Sequence, residues 1–313
     1  MQELNQDRNI FTRPLVVTLA ALLCCALWGS ATPAIKTASA LLIPTSGVPS
    51  TILFAGIRFF MAGIITIAIY SIARKKLLVF KKENLPRVLT VASFQTVIQY
   101  IFFYVGLANT TGVKGTIASG SSAFFCVLIA SLIFKQEKLS AKKIIACILG
   151  LAGIVIINLQ GLELTMNFLG DGFVILSTVA YSFSSVFMKR FSKYEDPVVL
   201  SGYQFVFGGA FMIVLGIILG GRVSFESGKG VAILVYLAFL SAIAYALWGM
   251  LLKHNPVSKV TIFSFTTPIF GTILSLLLLP ESSGVDPLNL VITLILVCGG
   301  ILLLNYHPKE KEN

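Results

Sequence analysis

Ten runs of mainly apolar residues, separated by short polar turns, constrain this chain more than any other feature of its sequence. A helix needs about 20 such residues to cross a hydrocarbon core of about 30 Å, and lipid tolerates no unpaired backbone groups. The runs therefore predict an all-α integral membrane protein with ten transmembrane helices. The expected spans are residues 15–40, 52–73, 86–109, 112–134, 141–159, 169–191, 199–220, 229–252, 257–279 and 287–305.

The composition is that of a chain solvated by lipid. Hydrophobic residues make up 56% of it and charged residues 12%, whereas a soluble domain is about 45–50% apolar and about 25% charged. The formal net charge of +11 is compatible with nucleic-acid binding. The basic residues, however, lie in short loops between the apolar runs, as the positive-inside rule describes. We therefore expect a lipid bilayer as the surroundings and no nucleic-acid partner.

The positions of lysine and arginine predict the orientation. With a cytoplasmic N-terminus, 19 of the 24 basic residues fall on the cytoplasmic side and three fall on the other. Because cytoplasmic loops are enriched in basic residues, we expect cytoplasmic tails at residues 1–14 and 307–313. The first apolar run is longer than the roughly 7–15 residues of a signal-peptide core. It is interpreted as the first span of a multi-pass membrane protein.

The sequence contains an internal repeat. Residues 152–158 (AGIVIIN) resemble residues 299–305 (GGILLLN), and residues 56–59 (GIRF) align with residues 202–205 (GYQF). The matches occur in the same order in both halves of the chain, and an acidic residue closes the fourth helix of each half. Weak matches that keep the same order in both halves indicate a duplication.

The repeat predicts a first five-helix unit at residues 15–160, a linker at 161–167 and a second five-helix unit at 168–306. Because five is odd, the second unit enters the membrane from the opposite side, so the two units are inverted. Inverted repeats are typical of secondary transporters, which hold their solute near the membrane midplane and work by alternating access.

Several short motifs add a family resemblance. They are Leu27-Trp28-Gly29-Ser30 followed by Lys36, Arg58-Phe59, Glu137-Lys138-Leu139-Ser140, and Thr267-Pro268 followed by Glu281. With these motifs the chain resembles, over nearly its whole length, the EamA-type branch of the drug/metabolite transporter superfamily.

The resemblance implies a bundle of five plus five helices in the cell membrane, plasma or inner. Such a bundle exports or exchanges small metabolites, often amino acids, through a cavity lined by helices 1, 3, 4, 6, 8 and 9. One departure concerns helix 4, where the family commonly has proline and this chain has Phe124. The second half keeps the proline as Pro268. We therefore expect helices 4 and 9 to bend unequally.

Polar and aromatic residues inside the spans are the candidates for solute binding, because burying a polar group in lipid without a partner costs several kcal/mol. The spacing i, i+4 predicts that Gln95 and Gln99 share a helix face, as do Tyr100 and Tyr104. For the serines and threonines, close helix packing is an equally good interpretation. The candidates are Trp28, Ser30, Gln95, Gln99, Tyr100, Tyr104, Ser122, Tyr181, Ser185, Tyr245, Trp248 and Thr267.

Two basic residues, Lys36 and Arg58, lie well inside spans. Either one could attract a carboxylate or phosphate of the solute. The alternative is that Lys36 reaches toward the interface and that Arg58 bonds helix-end carbonyls. Pro33 and Pro268 each remove a backbone hydrogen bond within a helix, so they are candidate hinges or, equally, fixed kinks.

No carboxylate lies deep in a span, and a proton-coupled carrier usually has one. This pattern favours an exporter or exchanger of an amino acid or related solute that needs no proton gradient. The alternatives are a proton-coupled drug or metabolite efflux carrier and an organophosphate exchanger. The latter should carry more basic residues at mid-span.

A membrane-embedded enzyme and a scaffold are remote alternatives. The two histidines, His254 and His307, lie at membrane edges, and the five cysteines all lie in apolar runs without a C-x-x-C motif. We therefore expect no catalytic residue, no metal site and no cofactor. The expected partners are a small-molecule solute and the lipid bilayer, with the protein a monomer or a homodimer.

Overall fold

The computed structural model of the protein describes residues 10–44, 47–159, 165–278 and 286–305. The predicted tails, apart from residues 10–14, lie outside the described residues. The same is true of residues 161–164 of the predicted linker, and of Glu281 and His307.

The described ranges contain no strand. They contain ten helices that are about as long as a membrane is thick, or longer. Nine of them combine at least 18 residues with the apolarity of a membrane span. The tenth, with 17 residues, is at the short end of the usual range of about 17–25. The helices are α1 Pro14–Leu42, α2 Val48–Ala73, α3 Lys82–Ala108, α4 Gly112–Ile133, α5 Ala141–Ile157, α6 Phe168–Phe191, α7 Pro197–Ile218, α8 Gly228–His254, α9 at residues 257–278, and α10 Pro287–Asn305.

The predicted all-α membrane fold of ten helices is thus confirmed. The expected boundaries agree with the described ends to within about four residues because the apolar runs end where the turns become charged or contain proline and glycine. Asp196, for example, accepts a hydrogen bond from Val198 N at 2.8 Å, and Pro197 follows it as the first residue of α7.

Packing between the halves follows the repeat. Helix α2 packs on its repeat equivalent α7, and α5 packs on its equivalent α10. The α1–α8 contact has the α6–α3 contact as its equivalent. Two inverted units related by a pseudo-two-fold axis produce this pattern. Some helices contact their own equivalents, and other contacts between helices occur as equivalent pairs.

Close contact between α2 and α7 depends on glycine. A Cβ atom at Gly209 would lie 2.4 Å from Phe60 N, and one at Gly56 would lie 2.7 Å from Ile213 N. Small residues let helix backbones approach in membranes, where packing drives association. The α2–α7 pair therefore joins the two units by close backbone contact.

Three helices are irregular near mid-membrane. Helix α3 contains a π-helical stretch at Ala92–Ile98, α4 is interrupted by a turn at Ser121, and α9 contains a 3-10 stretch at Ile262–Thr266. The interruptions of α4 and α9 lie at equivalent points of the repeat, although only α9 has a proline there. Helix α1 continues through Pro33 to Leu42.

Candidate functional site

A cavity of about 440 Å³ lies between the two units. Its wall is formed by α1, α3, α4, α6, α8 and α9, with one residue of α2. The described residues that line it are Trp28, Ala31, Thr32, Ile35, Arg58, Gln99, Tyr100, Phe103, Tyr104, Leu107, Gly112, Gly115, Thr116, Ser119, Gly120, Ser122, Ser177, Thr178, Tyr181, Tyr245, Ser264, Thr267 and Pro268.

Ten of the sixteen residues singled out from the sequence lie on this wall. They come from seven different helices, so the fold brings together side chains that are as much as 240 positions apart. The ten residues are Trp28, Arg58, Gln99, Tyr100, Tyr104, Ser122, Tyr181, Tyr245, Thr267 and Pro268.

Ser30 and Gln95 lie away from the wall. Ser30 is two residues beyond Trp28, and this spacing places the two side chains about 200° apart around the helix. The Ser30 hydroxyl forms a hydrogen bond with Tyr236 Oη at 2.7 Å on the outer surface. Gln95 is buried in the π-helical stretch of α3. There each N–H bonds five residues back, and Gln95 is not among the residues that line the cavity.

Four other predicted residues also lie outside the lining. Ser185 is buried and donates to Tyr181 O within its own helix at 3.1 Å. Trp248 lies behind Trp28, with ring centroids 4.9 Å apart. Lys36 is exposed. Pro33 is buried within α1.

The prediction omitted several lining residues that helical spacing could have found. Thr32 is four residues beyond Trp28, Phe103 is four beyond Gln99, and Leu107 is seven beyond Tyr100. These intervals keep residues on one helix face. Extending each candidate by its helical neighbours would have added them.

Aromatic rings form one side of the cavity. Trp28 contacts Tyr245 edge-on with centroids 5.2 Å apart, and Tyr245 Oη lies 3.0 Å from Tyr100 Oη. Tyr100 continues the cluster to Phe59 at 4.5 Å and to Tyr104 at 5.8 Å. In this aromatic cluster of Trp28, Phe59, Tyr100, Tyr104 and Tyr245, Phe59 is buried behind the wall. The other four rings line the cavity and offer an apolar surface bordered by hydroxyl groups.

Arg58 is the one charged residue among the described residues of the wall, and it is only 2% exposed. Its Nε and Nη2 both donate to Ser241 Oγ, at 3.2 and 3.1 Å. Its Cζ lies 4.6 Å from the centroid of the Phe59 ring. The bonds to Ser241 replace the helix-end carbonyls that the sequence suggested, and Nη1 has no hydrogen-bond partner among the described residues.

The repeat-equivalent pair carries no charge. Gln204 aligns with Arg58, and its Oε1 accepts from Thr96 Oγ1 at 2.5 Å. This α7–α3 bond corresponds to the α2–α8 bond of Arg58 with Ser241. Among the described residues, the charge on the cavity wall therefore comes from the first half of the chain.

The cavity opens toward the end of the bundle that carries the α3–α4 turn, where Leu107 and Gly112 are exposed. The opposite end, here called the basic end, carries the α2–α3, α4–α5, α6–α7 and α8–α9 turns. Its half of the bundle is closed by a seal of buried apolar residues. The seal includes Cys24, Cys25, Cys126, Val127, Cys147, Leu251, Val260 and Phe263.

Glu137 holds the seal at the basic end. Its carboxylate, in the turn between α4 and α5, accepts from Ser258 N at 2.9 Å and from Ser258 Oγ at the start of α9. Lys143 Nζ of α5 lies 2.8 Å from the same carboxylate. A carboxylate at a helix N-terminus satisfies free N–H groups and the helix dipole, so Glu137 ties three helices together.

Lys189 makes a second tie at this end. Its Nζ, at the end of α6, donates to Leu252 O at 3.0 Å and to Asn255 O at 2.5 Å, at the end of α8. A cation there complements the carbonyl end of the helix. No group of three or more metal-ligating side chains occurs in the described ranges.

Comparison with known proteins identifies the family. The EamA-like transporter family matches the chain twice, over residues 15–159 and 168–306. The chain is 25% identical to the uncharacterized transporter YvbV of Bacillus subtilis, over 91% of this chain and 90% of the relative. It is 24% identical to the WAT1-related protein At3g02690, chloroplastic, of Arabidopsis thaliana, over 89% and 67%.

A solved structure described as "Crystal structure of protein" shares the fold, with a TM-score of 0.76 at 20% identity, over 92% of this chain and 96% of that chain. The two family matches together cover most of the sequence, one in each half. The chain belongs to the EamA-like transporter family.

Proposed function

We propose that this protein is a secondary carrier that exports or exchanges a small metabolite, an amino acid or a related solute, by alternating access. One observation carries the proposal: a cavity with polar and aromatic walls lies between two inverted units and ends at a sealed half of the bundle. Carriers of this design hold a solute near the midplane and move one unit against the other. No enzymatic activity is proposed.

The cavity suits one small molecule. Its volume of about 440 Å³ lies within the roughly 300–1,000 Å³ of small-molecule sites. Threonine and serine hydroxyls of α4, α6 and α9 offer hydrogen bonds, and the aromatic cluster offers an apolar surface. A solute with polar ends and an apolar middle matches this wall.

The basic loops support an orientation with both termini in the cytoplasm of a plasma or inner membrane. In that orientation the basic end faces the cytoplasm, and the cavity opens to the outside. The described conformation is then the outward-facing state of the cycle.

Counterflow in liposomes tests the carrier function. Purified full-length protein is reconstituted, the vesicles are loaded with one unlabelled solute class at a time, and entry of the labelled solute is measured. We expect saturable, solute-specific counterflow for at least one amino acid or related metabolite. Protein-free vesicles provide the baseline. Lack of saturable flux for every class, from protein that elutes as a single folded species, contradicts the proposal.

Trp28→Ala and Gln99→Ala test the assignment of the cavity. Each removes a wall group from a different helix, so we expect each to lower the flux about tenfold, or about 1.4 kcal/mol of solute interaction, and to lower flux more than abundance. Leu23→Ala, at a lipid-facing position of α1 that is 50% exposed, is the matched control and should transport like the parent. Parental flux in both cavity variants would refute the assignment.

Transport is expected to continue without a proton gradient. Among the described residues no aspartate or glutamate lines the cavity, and such a group is the usual proton carrier in a membrane. An imposed pH gradient should therefore drive no concentrative uptake of the solute. If it does, and a protonophore abolishes that uptake in vesicles with no other driving force, the alternative of a proton-coupled efflux carrier is favoured instead.

A further inference from the structure

We propose that Arg58 selects solutes that carry a carboxylate, that Ser241 positions its guanidinium, and that the aromatic cluster receives the apolar remainder of the solute. This inference rests on the proposed carrier function. It adds to that function a substrate class, organic monocarboxylates with an aromatic or bulky apolar body, and a residue that recognises the class.

The first step concerns the geometry of the guanidinium. Arginine has five N–H donors in a planar fork. Ser241 Oγ accepts hydrogen bonds from Nε and Nη2 of Arg58. The Ser241 hydroxyl donates to Leu237 O at 2.9 Å, so α8 sets the orientation of this hydroxyl. The plane is further held over Phe59 at 4.6 Å. These contacts fix one edge of Arg58 and leave Nη1 for another acceptor.

The second step concerns charge. Arg58 is 2% exposed, and among the described residues no carboxylate forms an ion pair with it. A buried charge without a partner is strongly unfavourable, whereas charge-assisted bonds from arginine to carboxylate are among the strongest hydrogen bonds in proteins. An incoming carboxylate would bond Nη1 and neutralise the cavity.

The third step distinguishes between kinds of solute. Arg58 is the single cation of the described wall, and its repeat equivalent is the neutral Gln204. One positive charge is neutralised by a monoanion, whereas a phosphate dianion would leave an excess negative charge in an apolar site. A solute ammonium group finds no described carboxylate on the wall. The α-amino group of an amino acid is therefore dispensable for binding.

The protein contains its own reporter for this site. It has two tryptophans, of which Trp28 lines the cavity and Trp248 lies against it at 4.9 Å. Intrinsic tryptophan fluorescence of the purified full-length protein therefore monitors the cavity without any transport step. Four probes share one aromatic body and differ in the head group: 3-phenylpropionate, 3-phenylpropionamide, 3-phenylpropylamine and 2-phenylethylphosphonate.

We expect 3-phenylpropionate to bind at least about tenfold more tightly than the amide and the amine in the parent protein. Arg58→Gln should remove this preference, and Arg58→Lys should retain part of it because the charge remains but the fork does not. Ser241→Ala should weaken carboxylate binding several-fold and leave amide binding unchanged, which a merely structural defect would not do. Leu23→Ala should bind like the parent.

Several results would overturn the inference. They are equal binding of carboxylate and amide, tighter binding of the amine or the phosphonate, no carboxylate-dependent signal up to about 10 mM, and a preference that persists in both Arg58→Gln and Ser241→Ala. If Arg58→Gln does not fold, Arg58→Lys and Ser241→Ala decide. Saturable flux of uncharged or cationic solutes alone would refute carboxylate selection and leave the carrier function intact. Absence of any saturable flux would refute the carrier function itself.

Discussion

Glu137→Ala is expected to open the basic end of the protein and to expose thiols that the seal now buries. The carboxylate bonds the backbone and the hydroxyl of Ser258 and pairs with Lys143, so its removal disconnects α4, α5 and α9 at that end. Bonds to a charged group contribute about 1.5–3 kcal/mol each. Because about 1.4 kcal/mol corresponds to a factor of ten, the loss of a single such bond raises the open population about 10–100-fold, and we expect at least that rise.

Native cysteines make this measurable. Cys24, Cys25, Cys126 and Cys147 are buried in the sealed half, whereas Cys298 is exposed. In a Cys298→Ser background, the rate of maleimide labelling reports opening of the seal. The parent should label slowly and Glu137→Ala at least about tenfold faster, in line with the population shift.

Two further variants sharpen the experiment. Glu137→Gln keeps an acceptor for Ser258 but loses the ion pair with Lys143, so its labelling rate should be intermediate. Glu226→Ala, at an exposed position in the turn before α8, removes a carboxylate at the opposite end and should label like the parent. Thiols that stay protected in folded Glu137→Ala would show that Glu137 does not hold the seal.

The helices could be predicted from the sequence because the membrane sets their length. Each span must be apolar for about 20 residues whatever it packs against, so the ten runs report the fold locally. The inverted arrangement followed from counting five spans in each half. Neither inference depends on contacts between distant residues.

The site could be predicted only in part, for reasons that are also physical. Periodicity shows which residues share a face, but it does not show which face meets the other unit. Trp28 and Ser30 were both plausible, although a regular helix separates them by about 200°. The bond between Arg58 and Ser241 joins residues 183 positions apart, and it exists only because α2 and α8 pack together.

The π-helical stretch of α3 shows a second limit. Thr96, within this stretch, bonds Gln204 of α7, and a Cβ at Gly208 would lie 2.6 Å from Thr96 Cβ. The irregular turns of α3 occur where it packs tightly on α7. The sequence of α3 by itself does not indicate this packing. The irregularity of α3 is therefore associated with a neighbour in the other half of the chain.

The same close packing leads to a second large expected effect, the loss of folded protein when Gly209 is enlarged. A Cβ there would meet Phe60 N at 2.4 Å, Phe60 Cα at 2.8 Å and Gly56 O at 2.9 Å. All three are backbone atoms, which cannot rotate away as a side chain would. Overpacking typically costs about 1–3 kcal/mol, and here relief requires moving α2 away from α7.

We therefore expect Gly209→Ala to lower the yield of monodisperse protein about threefold and Gly209→Val about tenfold, in proportion to the added volume. The measurement is fluorescence-detected size-exclusion chromatography of detergent-solubilised membranes, with total expression determined in parallel. Gly299→Ala is the matched control, because Gly299 lies within α10 and a Cβ there meets no heavy atom within 4 Å. It should keep the parental yield, since alanine favours helix more than glycine does.

The comparison also tests how the two units are joined. If α2 and α7 form the fixed contact between them, Gly209→Val should destabilise the protein even when a bound solute occupies the cavity, because the clash lies outside the wall. A yield restored to the parental level by solute would mean that the two helices separate in the transport cycle. Equal yields for Gly209→Val and Gly299→Ala would show that the α2–α7 contact is looser than the distances to Phe60 imply.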